Sequence, residues 1–240
     1  MNQPPSVSII IPVYNEIQTV ELLLRTVAEE SKGFRAEVIV VESNSTDGTR
    51  QVVERECKRL GFGVILQDEP LGKGAAVRAG ISASTGDILI IQDADLEYSP
   101  SDYHILLKAL EPAHIGAVLG SRHKGSLPLR NMHGETFNTL YTNLGHRVLS
   151  FLFNVLYGTD FRDQFTMWKV FKRDVLPSLE FESNRFDFDQ ELLARLIRTG
   201  TTIIEIPISY HSRGYKSGKK IRPVLDGVLA IVAIFKFRFR

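Results

Sequence analysis

Two carboxylates, Asp93 and Asp95, stand one residue apart after the apolar run Ile88–Ile91, in the stretch ILIIQDADLEYSP. Negative charge held at the end of a buried strand is costly unless a cation or a ligand offsets it. A hard divalent ion with oxygen ligands, Mg2+ or Mn2+, shared with the phosphates of a nucleotide, meets that need. The plain alternative is a solvated acidic turn that caps the next helix. Other groups suited to the same ligand are Tyr14, Asn15 and Glu16 after Pro12, Glu42, Lys73, Glu97, Ser121 and Arg122. Tyr14 and Glu42 suit the base or ribose, and Lys73 suits phosphate as a point charge. Gly72-Lys73-Gly74 falls short of the full GxxxxGK[ST] phosphate loop, and no GxGxxG follows a strand, which disfavours a dinucleotide.

These residues need a scaffold that brings strand ends together. Val7–Pro12, Glu37–Val41, Val64–Leu66, Ile88–Ile91 and Ile115–Gly120 read as strands, with Val7–Pro12 (Ser8 aside) and Ile88–Ile91 apolar throughout and Val64–Leu66 short. Helical spacing occupies Thr19–Glu30, Thr49–Leu60 with Ser45 or Thr46 as its cap, a segment through Ala83, and Ser101–Leu110. The alternation predicts an α/β fold: an open, mostly parallel sheet covered by helices. Ligands bind such sheets at the carboxyl ends of the strands, where the groups named above gather.

After Arg122 the composition turns basic, with His123, Lys124, Arg130, His133, His146 and Arg147, and then apolar over Val148–Tyr157. The apolar run reads as a core-facing helix, with lipid contact as its competitor. Phe165–Lys172 reads as a strand, and a helix over Leu192–Thr199 follows Asp187, Asp189 and Glu191. Those carboxylates serve either as N-terminal caps or on an acceptor side. Thr202–Ile206 is the last strand. The loop Tyr210–Lys220 is basic and punctuated by glycine, which suits a lid over a diphosphate or a solvated surface loop. Val224–Phe235 is an apolar helix followed by Lys236, Phe237, Arg238, Phe239 and Arg240, a pattern suited to a membrane interface, a docked terminus or a subunit contact.

The bulk numbers fit this outline. A chain of 240 residues, 43% hydrophobic and 24% charged, has the composition of a globular domain. The formal net charge of +1 gives no reason to expect a nucleic-acid partner. One cysteine, Cys57, excludes an internal disulfide and suits a reducing compartment. The first residues lack the basic segment of a signal peptide, and no apolar run reaches the roughly 18 residues of a bilayer span. The expectation is a cytoplasmic protein, peripheral at the membrane face, with oligomerisation left open.

With these residues laid out, the chain resembles family 2 glycosyltransferases of the GT-A fold, and among them the polyprenyl-phosphate sugar synthases. The resemblance rests on VSIIIPVYNE, ESNSTDGT, GKGAAVRAG, IQDADLEYSP, GSR, DQFTMWKVF, FDFDQE and EIPISYHSRGYKSGKKI, in that order. It implies that Pro12, Tyr14, Glu16 and Glu42 line a nucleotide pocket and that Asp93 and Asp95, with Glu97, form the metal motif. It implies phosphate binding by Arg122, Arg213 and Lys219, and Arg130 joins them as an acceptor-side cation. Asp95, Arg122 and Asp163 are the expected catalytic residues. Glu42-Ser43 stands where the family usually has Asp-Asp, and Asp163-Gln164-Phe165-Thr166 replaces a stretch with Gly or Cys. No QxxRW motif occurs, which disfavours a processive polysaccharide synthase.

The implied activity is inverting transfer of one sugar from a UDP- or GDP-sugar to a polyprenyl phosphate. Residues 1–212 would form the transferase domain, and 213–240 a basic lid and membrane-facing helix. The competing activities are transfer to a soluble hydroxyl, for which Asp163, Asp189 and Glu191 are the candidate bases, nucleotidyl transfer, and nucleotide binding without catalysis.

Overall fold

The computed structural model describes residues 4–122, 136–176, 178, 180–185, 187–211 and 223–239, with backbone alone at 136–144 and 223–226. Arg130, Arg213 and Lys219, and with them most of the basic loop, lie outside the described residues. The strands are β1 (Val7–Val13), β2 (Ala36–Glu42), β3 (Gly63–Leu66), β4 (Ile88–Ile91), β5 (Ile115–Ser121), β6 (Lys169–Lys172) and β7 (Thr202–Pro207). Among the described residues they form one seven-stranded sheet in the order β3-β2-β1-β4-β6-β5-β7.

The helices are α1 (Val20–Glu30), α2 (Thr49–Leu60), α3 (Lys73–Ala83), α4 (Tyr103–Leu110), α5 (Thr136–Tyr157), α6 (Phe188–Arg198) and α7 (Pro223–Phe239). Alternation of side chains along each central strand fills both layers. Ile9, Ile11, Ile88 and Ile90 pack toward α1, α2 and α4, while Ile10, Leu89 and Ile91 join Val77, Ile81, Leu192 and Leu196 on the other face.

The parallel register Val13↔Glu42 and Ile10↔Ile91 brings the ends of β1, β2 and β4 to one edge. Pro12 sits inside a central strand without breaking the ladder. Ile10 accepts the Gln92 N–H and therefore faces β4, so Pro12 faces the same side beyond the end of β4, where no ladder partner awaits its missing N–H.

Three expectations change. The strand expected over Phe165–Lys172 is confined to Lys169–Lys172, because the chain before it turns, with Thr166 N–H donating to Asp163 O at 3.1 Å. This strand is antiparallel to both β4 and β5, so the segment before it, not after it, reaches the functional edge. Neither Ser45 nor Thr46 caps α2: Gly48 is its N-cap, and the Asp47 carboxylate accepts the Thr49 N–H at 3.0 Å. The helix expected over Leu192–Thr199 begins at Phe188, which puts Asp189 and Glu191 inside its first turn.

The apolar run after Gly145 is two-sided. Phe153 is buried with Leu119, Leu193 and Ile234, whereas Val148, Phe151 and Val155 are exposed. Helix α7 is longer than its apolar core and takes in Lys236 to Phe239. It docks through Ala233, Ile234 and Phe237 and exposes Val228, Val232 and Phe239. Among the described residues no helix is long and apolar enough to cross a membrane.

Candidate active site

The loops after β1 and β2 are sewn together. Asn15 N–H donates to Ser45 Oγ at 2.9 Å, and the Asn15 side-chain oxygen accepts the Thr46 N–H at 2.9 Å. Glu16 N–H donates to Thr49 Oγ1 at 2.9 Å. Glu42 is buried and accepts from Asn44 N–H, Ser45 N–H and the Arg50 guanidinium. Burial raises its pKa, but those donors prevail and hold the carboxylate below its usual range. Glu42 therefore shapes this loop from within, while Tyr14 is 37% exposed at the rim.

Among the described residues, three non-glycine residues have left-handed backbone: Asn15 (φ 50°), Asn44 (φ 57°) and Leu96 (φ 60°). Each lies in a loop at the carboxyl end of β1, β2 or β4. Asparagine tolerates this conformation, but leucine does so only at a cost, and such strain concentrates at functional loops. The turn at Leu96 lets Asp95 Oδ1 accept the Glu97 N–H at 3.0 Å.

Gln92 pins this loop from below. Its side-chain oxygen accepts from Tyr103 hydroxyl at 2.9 Å and Trp168 Nε1 at 3.3 Å, and its amide donates to the carbonyls of Asp93 and Tyr98. Tyr98 and Tyr210 form an isolated antiparallel bridge with ring centroids 5.1 Å apart. Tyr210 hydroxyl donates to Glu97 Oε2 at 2.7 Å, and His211 N–H donates to the Glu97 carbonyl at 2.9 Å.

Expected metal ligands Asp93, Asp95 and Glu97 do not gather as one cluster. Among the described residues no group of three or more His, Cys, Asp or Glu is arranged to hold a metal ion. Glu97 is engaged by Tyr210, and Asp93 forms an ion pair with Lys73. Asp93 and Asp95 are part-exposed all-oxygen donors, a set that fits a hard cation taking its other ligands from diphosphate and water.

Behind this loop lies a chain of alternating charge that runs from part-exposed Asp93 and Lys73 to buried Asp189 and Lys169. Lys73 faces Asp93 and, farther off, Asp189 and Asp95. Asp189 in turn meets Lys169 at 3.4 Å. Burial opposes the charge on Lys73, but Asp93 and Asp189 outweigh it and raise its pKa. Burial instead prevails at Lys169, whose pKa is lowered, and at Asp189, whose pKa is raised. Glu191 is no cap for α6: it accepts the Glu182 and Ser183 N–H groups and pairs with Arg195 at 2.7 Å.

Arg122 follows β5, and the segment before antiparallel β6 delivers Asp163 to it. Arg122 Nε and Nη2 donate to the two Asp163 oxygens at 2.8 and 2.6 Å, and Arg122 N–H adds a bond at 2.9 Å. Both side chains are buried. Glu205 accepts the Arg162 and Asp163 N–H groups at 2.8 Å each, fixing the turn from β7. Burial would raise the Asp163 pKa, but Arg122 and its hydrogen bonds hold it well below the usual carboxylate range. The guanidinium also lies 5.3 Å from the centroid of the Tyr210 ring.

The edge thus unites Pro12, Tyr14, Glu16, Glu42, Lys73, Asp93, Asp95, Glu97, Arg122 and Asp163 on strand ends, the start of α3 and neighbouring loops. Sequence reasoning placed Asp189 on an acceptor side and Tyr210 in the basic loop, but missed Tyr98, Glu205 and Lys169 as parts of this edge and gave no partner to Asp189. Lys169, charged at the head of the run Val170-Phe171, was the available signal for one of them.

Comparisons with known proteins agree with this architecture. The chain is 28% identical over 239 residues to glycosyltransferase AglJ of Haloferax volcanii, covering 98% of this chain and 73% of that protein. It is 26% identical over 238 residues to glycosyltransferase AglD of the same organism, covering 91% of this chain but 35% of that one. The crystal structure of glucosyl-3-phosphoglycerate synthase from Mycobacterium tuberculosis in complex with Mn2+, UDP and phosphoglyceric acid superposes with a TM-score of 0.71 at 19% identity, covering 98% and 78% of the two chains. The same synthase in complex with Mg2+ and UDP gives a TM-score of 0.68 at 20% identity, covering 98% and 80%. These superpositions establish a GT-A-like fold. The match to the family model of glycosyl transferase family 2 spans residues 8–179, from the first strand through the Arg122–Asp163 pair, and the chain belongs to that family.

Proposed function

We propose that this enzyme moves one sugar, with inversion, from a UDP- or GDP-sugar to the phosphate of a polyprenyl-type lipid. The observation that carries the reading is the commitment of Asp163 to Arg122. A hydroxyl acceptor needs a general base, and a carboxylate held far below its usual range is a poor one. Glu191 is likewise spent on main-chain N–H groups and Arg195, and its pKa is also lowered. A phosphate acceptor is already an anion near neutral pH and attacks the anomeric carbon without a base.

Within this proposal Pro12, Tyr14, Glu16 and Glu42 frame the nucleoside. Asp93 and Asp95 hold Mg2+ or Mn2+, the ions found in the structurally similar synthase. Such an ion, when bound, offsets charge on the departing nucleoside diphosphate. Lys73 adds positive charge to the edge and Arg122 holds its guanidinium there against Asp163, while Arg130, Arg213 and Lys219 are assigned to the acceptor phosphate. The exposed apolar residues of α5 and α7, rimmed by Arg147, Lys236 and Arg238, support peripheral contact with an anionic, cytoplasmic membrane face.

One observation favours a second reading, in which the acceptor is a hydroxyl. The raised pKa of Asp189, pushed up by burial, suits a base better than Asp163 or Glu191. The test is product partition with a panel of radiolabelled UDP- and GDP-sugars, with and without polyprenyl phosphate. Label that enters the organic phase only with the lipid phosphate supports the proposal. Label confined to water-soluble glycan contradicts it and favours the hydroxyl acceptor.

A further inference from the structure

Lys73 is paired with Asp93, one of the two carboxylates assigned above to the metal. It is the first residue of α3, and the pairing is made by its ammonium. The root of this side chain cannot move far. A Cβ at Gly72 would lie 2.4 Å from the Asn184 carbonyl oxygen, and one at Gly74 would lie 2.5 Å from that of Ser183. Ala75 N–H donates to Asn184 O at 3.2 Å, and Arg78 clamps Ser183 O at 2.7 Å. The backbone is wedged, while the four-carbon stem of a lysine is flexible.

The surroundings of Lys73 supply both a reason to stay and a reason to leave. A cation at a helix N-terminus opposes the helix dipole, and here Asp93 offsets that opposition. A diphosphate arriving at the same helix end is favoured by the dipole and attracts the ammonium. Asp189, close enough to act on Lys73, is itself held 3.4 Å from Lys169 and so stays beside the Lys73 stem.

We infer that Lys73 is a tethered cation that blocks Asp93 until a nucleoside diphosphate draws it away, so that divalent metal loads after, or together with, the nucleotide. This rests on the proposed metal role of Asp93 and Asp95. The same exchange positions Lys73 on the diphosphate, and Lys169 and Asp189 act as positioning residues behind it.

The experiment is Mn2+ titration followed by electron paramagnetic resonance, with and without saturating UDP or GDP, on the wild type, Lys73→Met and Lys73→Gln. Circular dichroism confirms folding, and Lys73→Gln, which keeps a hydrogen-bond donor, serves where Lys73→Met is unfolded. Wild type is expected to bind Mn2+ weakly alone and at least about tenfold more tightly with nucleotide, within the usual range of coupling between sites. The variants are expected to bind Mn2+ alone at least about tenfold more tightly than wild type, with the nucleotide effect reduced accordingly, once the competing unit charge is gone.

Variant affinity that rises equally with and without nucleotide reports only a general charge effect and overturns the inference. Unchanged nucleotide-free affinity overturns it as well. Absence of Mn2+ binding by wild type even with nucleotide instead removes the metal assignment on which the inference stands.

Discussion

Arg122 and Asp163 lie 41 residues apart in sequence, yet the arginine grips both oxygens of the aspartate, through Nε at 2.8 Å and Nη2 at 2.6 Å. Neither side chain meets water to any extent. Buried charge of this kind is stable only as a pair, so the pair fixes the loop after β5 against the turn before β6.

Breaking the pair from one side is therefore costly. Asp163→Asn keeps the shape but leaves the Arg122 charge uncompensated, and is expected to lower unfolding free energy by about 3–5 kcal/mol. Urea unfolding monitored by circular dichroism measures this. A change below about 1 kcal/mol, the scale of an exposed pair, would contradict the burial argument.

The same pair sets an acid limit. Because Arg122 depresses the Asp163 pKa in the folded state, the pair's stabilisation is fully present above the unfolded aspartate value, about 3.9. It is lost as pH falls below that value toward the folded pKa. Melting temperature measured against pH should thus drop below about pH 4 in the wild type, and by less in Asp163→Asn. Equal slopes in the two proteins would show that Asp163 contributes nothing to the acid transition.

Gly74 tests the wedge at the start of α3. An added Cβ would meet Ser183 O at 2.5 Å and Phe188 Cβ at 2.9 Å. Gly74→Ala is expected to cost about 1–3 kcal/mol through forced movement of packed backbone, and to weaken nucleotide binding because Lys73 moves with it. Thermal denaturation and calorimetric titration with UDP and GDP check both effects. Wild-type values in both would mean that the helix start yields freely.

The exposed apolar faces make a separate prediction about membranes. Phe151 is 72% exposed on α5 and Phe239 is 75% exposed on α7. The double variant Phe151→Ser, Phe239→Ser should lose most sedimentation with anionic phosphatidylserine vesicles while binding nucleotide as before. Undiminished co-sedimentation would assign these faces to another role.

The parts of this fold legible in the sequence are those set by local pattern. Ile88–Ile91, apolar at every position, reads as a doubly covered strand, and its break at Gln92 marks the edge where Asp93 and Asp95 lie. The parallel βα repeat follows, and with it the gathering of Tyr14, Glu42 and Lys73. What remained hidden depends on pairing between distant segments. Four residues of β6 run against their neighbours, and that reversal alone carries Asp163 to Arg122. The contact of Glu97 with Tyr210, 113 residues apart, also depends on β7 ending at the same edge. Asp47 displaced Ser45 and Thr46 at the start of α2 because Ser45 Oγ accepts the Asn15 N–H instead, a contact between two loops.

The most direct test of the account is anomalous diffraction from crystals grown with Mn2+ and either UDP or GDP. A Mn2+ peak is expected beside Asp95, with the nucleoside between the loops that follow β1 and β2 and the Lys73 ammonium moved from Asp93 to phosphate. Nucleotide density away from this edge, or a bound diphosphate with Lys73 still on Asp93 and no metal at Asp95, would contradict it.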